Sequence, residues 1–289
     1  MRKISVRKLI KNSYLQKYVL FQININNLEW LKAIISAVNK IKAVIMIGIT
    51  PSAAKYFGSF EIAVKLSKLM IKNANLENNI FVHLDHGSYE DAKNGLEKFD
   101  FDSVMYDGRK ESIQKNLSNC LELIKLAKKN QAIEAELGYI GGIEDNEFNP
   151  GSLCKLEDVK EIKKANIDML AVSVGNIHGE YPKNWKSLDF DLLNSINNEF
   201  KKPLVLHGAS GLPFKQLYKA IDEFGVRKIN INTDLQIENA KALISFINSN
   251  NIIENKLYHP RKLYETSIKA MEDYLLNLFE KFKEFILQI

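Results

Sequence analysis

Ile80-Phe81-Val82-His83-Leu84-Asp85-His86-Gly87-Ser88 joins a short apolar run to a cluster of polar groups and a turn. The run is rich in β-branched and aromatic residues, as suits a strand buried on both faces of a parallel sheet. Its polar residues gather at the C-terminal end, and Ser88 followed by Asp91 signals the start of a helix. Such a stretch reads as one βα unit. The same unit recurs along the chain, with strands expected at 18–23, 43–47, 80–84, 102–105, 132–136, 169–174, 203–206 and 228–231. Helical patterns lie between them, for example at 28–38, 88–98, 112–129, 156–165, 190–200 and 213–224, and Asp107 is a second candidate helix-start residue. Eight such units in 289 residues point to an α/β fold, a (β/α)8 barrel, rather than an open doubly wound sheet. No Pro/Gly/Ser-rich linker divides the chain, so residues 1–289 are expected to form one domain. Residues 262–289 form an additional C-terminal helical segment, expected to cover a barrel end or to pack on a partner subunit.

A barrel places its chemistry at the C-terminal ends of its strands. The polar residues that stand out fall there: Asn24, Thr50, Asp85, His86, Asp107, Glu136, His178, His207, Asn230, Asn232 and Thr233. Three of them are histidines that follow apolar runs and precede glycine: His86, His178 in Gly175-Asn176-Ile177-His178-Gly179, and His207 in Leu206-His207-Gly208-Ala209-Ser210-Gly211. A lone histidine is more often a core or surface residue than a ligand. Three at separate strand ends match a catalytic divalent metal site, in which three imidazoles leave one coordination position open. On an ideal strand His83 and Asp85 share a direction and His86 points elsewhere, unless the strand is already ending. His259 lies in a late loop and is assigned no role.

Two further segments suggest anion binding and acid/base work. Gly208-Ala209-Ser210-Gly211 and Asn230-Ile231-Asn232-Thr233 follow the last two strands, the usual phosphate-binding position in a barrel, and the second opens a helix. Gly138-Tyr139-Ile140-Gly141-Gly142-Ile143-Glu144-Asp145 combines glycines with carboxylates, as a closing loop that carries a proton-transfer group does.

Composition narrows the class. The net charge of +5 is spread over lysine-rich helices, with no arginine-rich block, so a nucleic-acid partner is not expected. No apolar run is long enough to cross a membrane, and the basic start is followed by too short an apolar stretch for a signal segment. Two cysteines, Cys120 and Cys154, cannot form a disulfide framework. A cytoplasmic protein is expected.

Taken together, these motifs resemble the class II, metal-dependent fructose-bisphosphate aldolases. The resemblance runs from about Asn24 to Arg261 and adds Asn24-Ile25-Asn26-Asn27-Leu28-Glu29-Trp30, Ala53-Ala54-Lys55-Tyr56, Glu134-Ala135-Glu136-Leu137-Gly138, Gly141-Gly142-Ile143-Glu144-Asp145 and Pro260-Arg261-Lys262 to the segments above. It implies that His86, His178 and His207 hold a catalytic Zn2+, with Asp107 and Glu136 as ligands of an alternative, buried zinc position. It implies Asp85 as proton donor and acceptor at the C4 oxygen, Glu144 as the group exchanging the C3 proton, and Asn230 as the residue holding the enediolate. Asn24 is implied in substrate binding. Thr50, Gly179, Gly208, Ser210, Asn232 and Thr233 are implied at phosphate, with a monovalent cation (Na+ or K+) nearby, and Arg261 is implied to reach the second phosphate from a partner subunit. The expected substrate is a phosphosugar, and the expected assembly a homodimer or homotetramer.

The chain departs from the family pattern at a few positions. Asn232 stands where many members carry aspartate, Pro182 where lysine is frequent, Thr50 where serine is common, and Arg109-Lys110 where a Ser-His pair is usual; the usual small-residue tail is missing. Three other readings remain open on sequence alone: an aldolase for tagatose 1,6-bisphosphate, a lysine Schiff-base aldolase, and a non-catalytic descendant that binds metal or phosphosugar.

Overall fold

A computed structural model describes residues 4–144 and 147–289, with the side chains of 143–148 outside the description. Eight parallel strands close into a barrel: β1 (Leu20–Asn24), β2 (Ile45–Ile49), β3 (Ile80–Gly87), β4 (Ser103–Tyr106), β5 (Ala132–Leu137), β8 (Met169–Val172), β10 (Leu204–Leu206) and β11 (Val226–Ile231). Pairing of β1 with β11 completes the ring. Each expected strand is present, shifted by up to two residues at most boundaries; β3 runs on through Gly87. The remaining strands, β6 (Gly141–Glu144), β7 (Glu147–Asn149) and β9 (Ile177–His178), form a small sheet of their own. It was not expected, because its strands are short and the first of them opens on two glycines.

Alternation decides what lies inside and outside. Phe21, Ile23, Ile45, Ile47, Val82, Leu84, Ile229 and Ile231 face outward into the layer of helices. Those helices include α2 (Leu28–Ile41), α5 (Tyr89–Glu97), α6 (Ile113–Leu126), α8 (Phe190–Phe200), α9 (Phe214–Phe224) and α10 (Thr233–Ser249). Ser88 caps α5 as expected, in a reciprocal capping box with Asp91. The cap of α6 is Ser112, not Asp107, which the site uses instead.

The inner face changes character along the barrel axis. Toward the N-terminal end Leu20, Met46, Phe81, Ala132, Met169 and Val205 pack with Val6, Leu9 and Ile10 of α1 (Val6–Gln16). The helix α1 therefore plugs that end, tied down by Arg7 to Asp168 at 3.1 Å. Arg7, Lys8 and Lys11 form the polar side of this plug. Toward the C-terminal end the inner residues are Gln22, Asn24, His83, Asp85, Glu134, Glu136, Lys228 and Asn230, all buried.

The segment after 260 contributes α11 (Pro260–Leu263) and α12 (Glu265–Lys281). Phe279 and Phe282 place their rings 6.0 and 5.4 Å from that of Phe21, so this additional helix belongs to the outer layer over β1. The chain end then bridges from Ile286 to Val19 and from Gln288 to Ala43, at the N-terminal side of the barrel. Among the described residues no helix is long and apolar enough to cross a membrane. Both cysteines are buried and free, and burial pushes each thiol up to about 12, which keeps them unreactive.

Candidate active site

The expected site residues converge at the C-terminal mouth of the barrel. Asn24, Thr50, Asp85, His178, Gly179, His207, Gly208, Ser210, Asn230, Asn232 and Thr233 line one cavity of about 350 Å³. Ser52, Asn26 and Gln236 line it too, and sequence reasoning did not single them out.

Facing nitrogens of His86, His178 and His207 lie within 4.8 Å of one another. His86 has φ 50, in the left-handed region that a residue with a Cβ avoids, at a stretch where the pairing of β3 with β4 is irregular. This break in the alternation answers the question left by the sequence: Asp85 and His86 are neighbours yet both serve the mouth. Gly208 also requires its identity. Its φ is +62, and a Cβ there would collide with the Ile177 carbonyl. Asn176 fastens the same junction by donating to the His207 carbonyl at 2.9 Å, and the Tyr181 hydroxyl donates to the Gly208 carbonyl at 2.7 Å.

Carboxylates behind the imidazoles set their tautomers. Glu134 Oε1 lies 3.0 Å from His207 Nε2, and Asp107 Oδ2 lies 3.4 Å from His86 Nδ1. In the tautomers where each carboxylate takes an N–H, His207 Nδ1 and His86 Nε2 present lone pairs to each other at 2.8 Å. Two lone pairs so arranged call for a shared cation, and neutral imidazole suits a divalent transition metal. The three histidines thus fit the metal that the resemblance implies.

Asp107 and Glu136 sit behind this trio. Glu136 Oε2 is 3.9 Å from His207 Nδ1. Arg109 reaches both carboxylates, at 3.1 Å to Asp107 and 3.7 Å to Glu136. Burial opposes charge on Asp107, but the hydrogen bond to His86 and the Arg109 guanidinium outweigh it and hold the carboxyl below its ordinary value.

Asp85 is almost fully buried, and its two oxygens are each held by an amide. Asn24 donates to Oδ2 at 2.8 Å and Asn230 to Oδ1 at 3.2 Å. The Asn230 Nδ2 also lies 3.2 Å from His207 Nε2, whose N–H goes to Glu134, so the acid and the metal trio are neighbours across one amide without a hydrogen bond between Asn230 and His207. At the other side of the cavity the Ser210 hydroxyl accepts from the Asn232 and Asp234 amides at 3.4 and 3.3 Å, at the start of the long helix α10. Small residues beside a helix N-terminus form an anion cradle.

Two expected residues are not among those that line the cavity: one has its side chain outside the description and one lies elsewhere on the chain. The side chain of Glu144 lies outside the described residues. Its backbone belongs to β6, which pairs in parallel with β9 so that Gly142 stands level with His178. Gly142 has φ +100, and a Cβ on it would strike the His178 carbonyl. Arg261 is exposed, 3.0 Å from His259, and does not line the cavity of its own chain.

The model of the class-II fructose-bisphosphate aldolase family matches residues 4–285. The chain belongs to that family. It is 40% identical over 281 residues to a fructose-bisphosphate aldolase of Ureaplasma parvum, covering 96% of each chain. It is 37% identical to one of Mycoplasma pneumoniae, covering 94% of this chain and 95% of the relative. A crystallised candidate fructose-1,6-bisphosphate aldolase of Coccidioides immitis superposes with a TM-score of 0.81 at 28% identity, over 96% of both chains. Family members are generally metal-dependent, in keeping with the histidine trio.

Proposed function

We propose that this aldolase cleaves fructose 1,6-bisphosphate reversibly to dihydroxyacetone phosphate and glyceraldehyde 3-phosphate, with Zn2+ held by His86, His178 and His207. The observation that carries this reading is the adjacency of a buried, amide-held Asp85 to the histidine trio through Asn230. A hydrolase needs a metal-bound water; a carbon–carbon lyase needs a proton acceptor beside an electron sink. The bound metal supplies that sink, acting as a Lewis acid toward the ketone oxygen.

The chain's own residues do the rest. The cradle at Gly179, Gly208, Ser210, Asn232 and Thr233, with a monovalent cation and the Thr50 side of the cavity, holds the C1 phosphate. Asp85 takes the proton of the C4 hydroxyl as the C3–C4 bond breaks and the aldehyde leaves. The electron pair of that bond passes to the ketone oxygen, where Asn230 donates a hydrogen bond to the growing negative charge. Glu144 then delivers a proton to C3, brought to it by the hairpin that pairs with His178. Asp107 and Glu136 serve as the alternative metal ligands, and Arg261 of a second copy reaches the C6 phosphate, which makes the working form a homodimer or homotetramer. The enzyme works in the cytoplasm, on a route that splits and joins phosphosugars.

Cleavage rates for fructose and tagatose 1,6-bisphosphates, measured before and after chelation and zinc return, test this reading. Preferred cleavage of the fructose ester, lost on chelation and restored by zinc, is expected. Faster cleavage of the tagatose ester moves the assignment to the epimer. Activity that survives metal removal and is trapped by borohydride overturns the metal mechanism.

A further inference from the structure

Asp85 is gripped by two amides, and each amide is itself fixed from below by the inward residue two positions earlier on its strand. On β1, Gln22 Nε2 donates to Asn24 Oδ1 at 2.7 Å. On β11, Lys228 Nζ donates to Asn230 Oδ1 at 2.8 Å. The two strands are neighbours, with Gln22 level with Asn230. An ammonium only donates, so it dictates which end of the Asn230 amide faces it and leaves Nδ2 to point at Asp85. The two supports differ in charge. Lys228 is a cation with no exposed surface, and its ammonium also lies 2.9 Å from Glu134 Oε2, itself fully buried. The other oxygen of Glu134 meets His207 Nε2.

We propose that Lys228 is a positioning residue that sets the Asn230 amide against Asp85 and, through Glu134, the His207 ring toward the metal. This rests on the aldolase reading above. A buried ion pair loses much of its solvation, and apolar residues of equal volume commonly serve stability as well or better. The N-terminal end of the same barrel interior is filled that way. The pair is therefore placed where orientation matters, and it joins the proton-transfer arm of the site to the metal arm. Lys228 does not line the cavity, so it does not meet the substrate ketone as a nucleophile.

The test compares wild type, Lys228→Met, Lys228→Gln, Asn230→Ala, the Lys228→Met/Asn230→Ala pair and the Lys228→Met/Glu134→Gln pair. Wild-type cleavage of fructose 1,6-bisphosphate is measured first; its failure removes the aldolase reading, while zinc affinity still reports the link from Lys228 to His207. For Lys228→Met we expect kcat to fall about 10- to 100-fold, KM to stay within about twofold, and zinc affinity to weaken several-fold. Lys228→Gln keeps an N–H toward Asn230 and is expected to recover part of kcat. In the Asn230→Ala background Lys228→Met is expected to cost little further kcat, because both changes remove one orientation. The idea is overturned if a folded Lys228→Met keeps kcat within twofold, if its kcat loss adds in full to that of Asn230→Ala, or if the Glu134→Gln pair restores kcat completely. Restoration of that kind makes Lys228 a counter-charge only. Where Lys228→Met alone does not fold, the Lys228→Gln variant and the Glu134→Gln pair carry the same comparisons. Borohydride trapping of substrate on Lys228 also overturns it.

Discussion

The two ends of the barrel interior are built from the same strands by the same alternation, yet they are filled with opposite chemistry. Below, Leu20, Phe81, Met169 and Val205 meet the apolar face of the plugging helix α1. Above, Gln22, His83, Glu134 and Lys228 form a buried polar layer under Asn24, Asp85, Glu136 and Asn230. Apolar side chains gain free energy from leaving water, whatever their fine orientation. Buried polar groups gain only when every donor meets an acceptor, so a polar layer has few alternative arrangements. The lower end therefore holds the barrel together, and the upper end holds directions. Substitutions at the two ends should separate stability from turnover.

The largest effect is expected at the top. Asp85→Ala removes the proposed proton acceptor and leaves the histidine trio intact. Turnover should fall about 10²- to 10⁴-fold, the usual range for a general acid/base group, with zinc content and cooperative melting preserved. Unchanged turnover takes Asp85 out of the mechanism, and loss of fold puts it in the same class as the residues below. The matching change at the bottom is Phe81→Ala, which opens a cavity where the ring packed. A loss of about 3–5 kcal/mol in unfolding free energy is expected, with kcat per folded molecule nearly unchanged. Denaturant unfolding together with active-site-normalised kinetics reads both; a large kcat loss in a folded Phe81→Ala breaks the division between the ends.

A smaller effect is expected behind the metal trio. Arg109 joins Asp107 and Glu136, and Asp107 orients His86. Arg109→Ala should weaken zinc binding about tenfold, as loss of an outer hydrogen-bonding partner does, with melting little changed. Competition with a chromophoric chelator measures this, and unchanged affinity confines Arg109 to charge balance.

How far this division could be read from sequence depended on the kind of signal. The strands were legible because apolar runs between polar turns mark them. The three histidines, Asp85 and Asn230 were legible because strand ends in a barrel are where polar groups need an explanation. The layer beneath was harder to read because its polar residues sit singly inside runs marked mainly by their apolar members. Its trace was present in the pairs Gln22/Asn24, His83/Asp85, Glu134/Glu136 and Lys228/Asn230, which repeat a polar residue at the spacing of one strand face. That spacing places the deeper member of each pair inside the barrel, under the site residue. The turn of His86 into the mouth was not legible, since a left-handed residue other than glycine or asparagine leaves no pattern. Neither was the β6–β7–β9 sheet, whose strands pair through only two or three residues each way.

The smallest effect sharpens the comparison by acid. His83 is fully buried, with Nδ1 2.7 Å from Ser103 Oγ and Nε2 3.6 Å from Glu134. Burial pushes its pKa well below the ordinary value near 6.5, and the charge of Lys228 adds to this. The folded state therefore keeps His83 neutral while the unfolded chain takes up a proton below about pH 6.5. Because the unfolded state binds more protons there, stability falls as pH drops, by about 1.4 kcal/mol per pH unit for one proton. Leu20, Phe81, Met169 and Val205 at the lower end carry no titratable group. In metal-free protein, His83→Gln should flatten the stability slope between pH 6.5 and 5 by up to one proton, whereas Phe81→Ala should lower stability equally at every pH. Parallel slopes for wild type and His83→Gln place the acid sensitivity elsewhere in the upper layer.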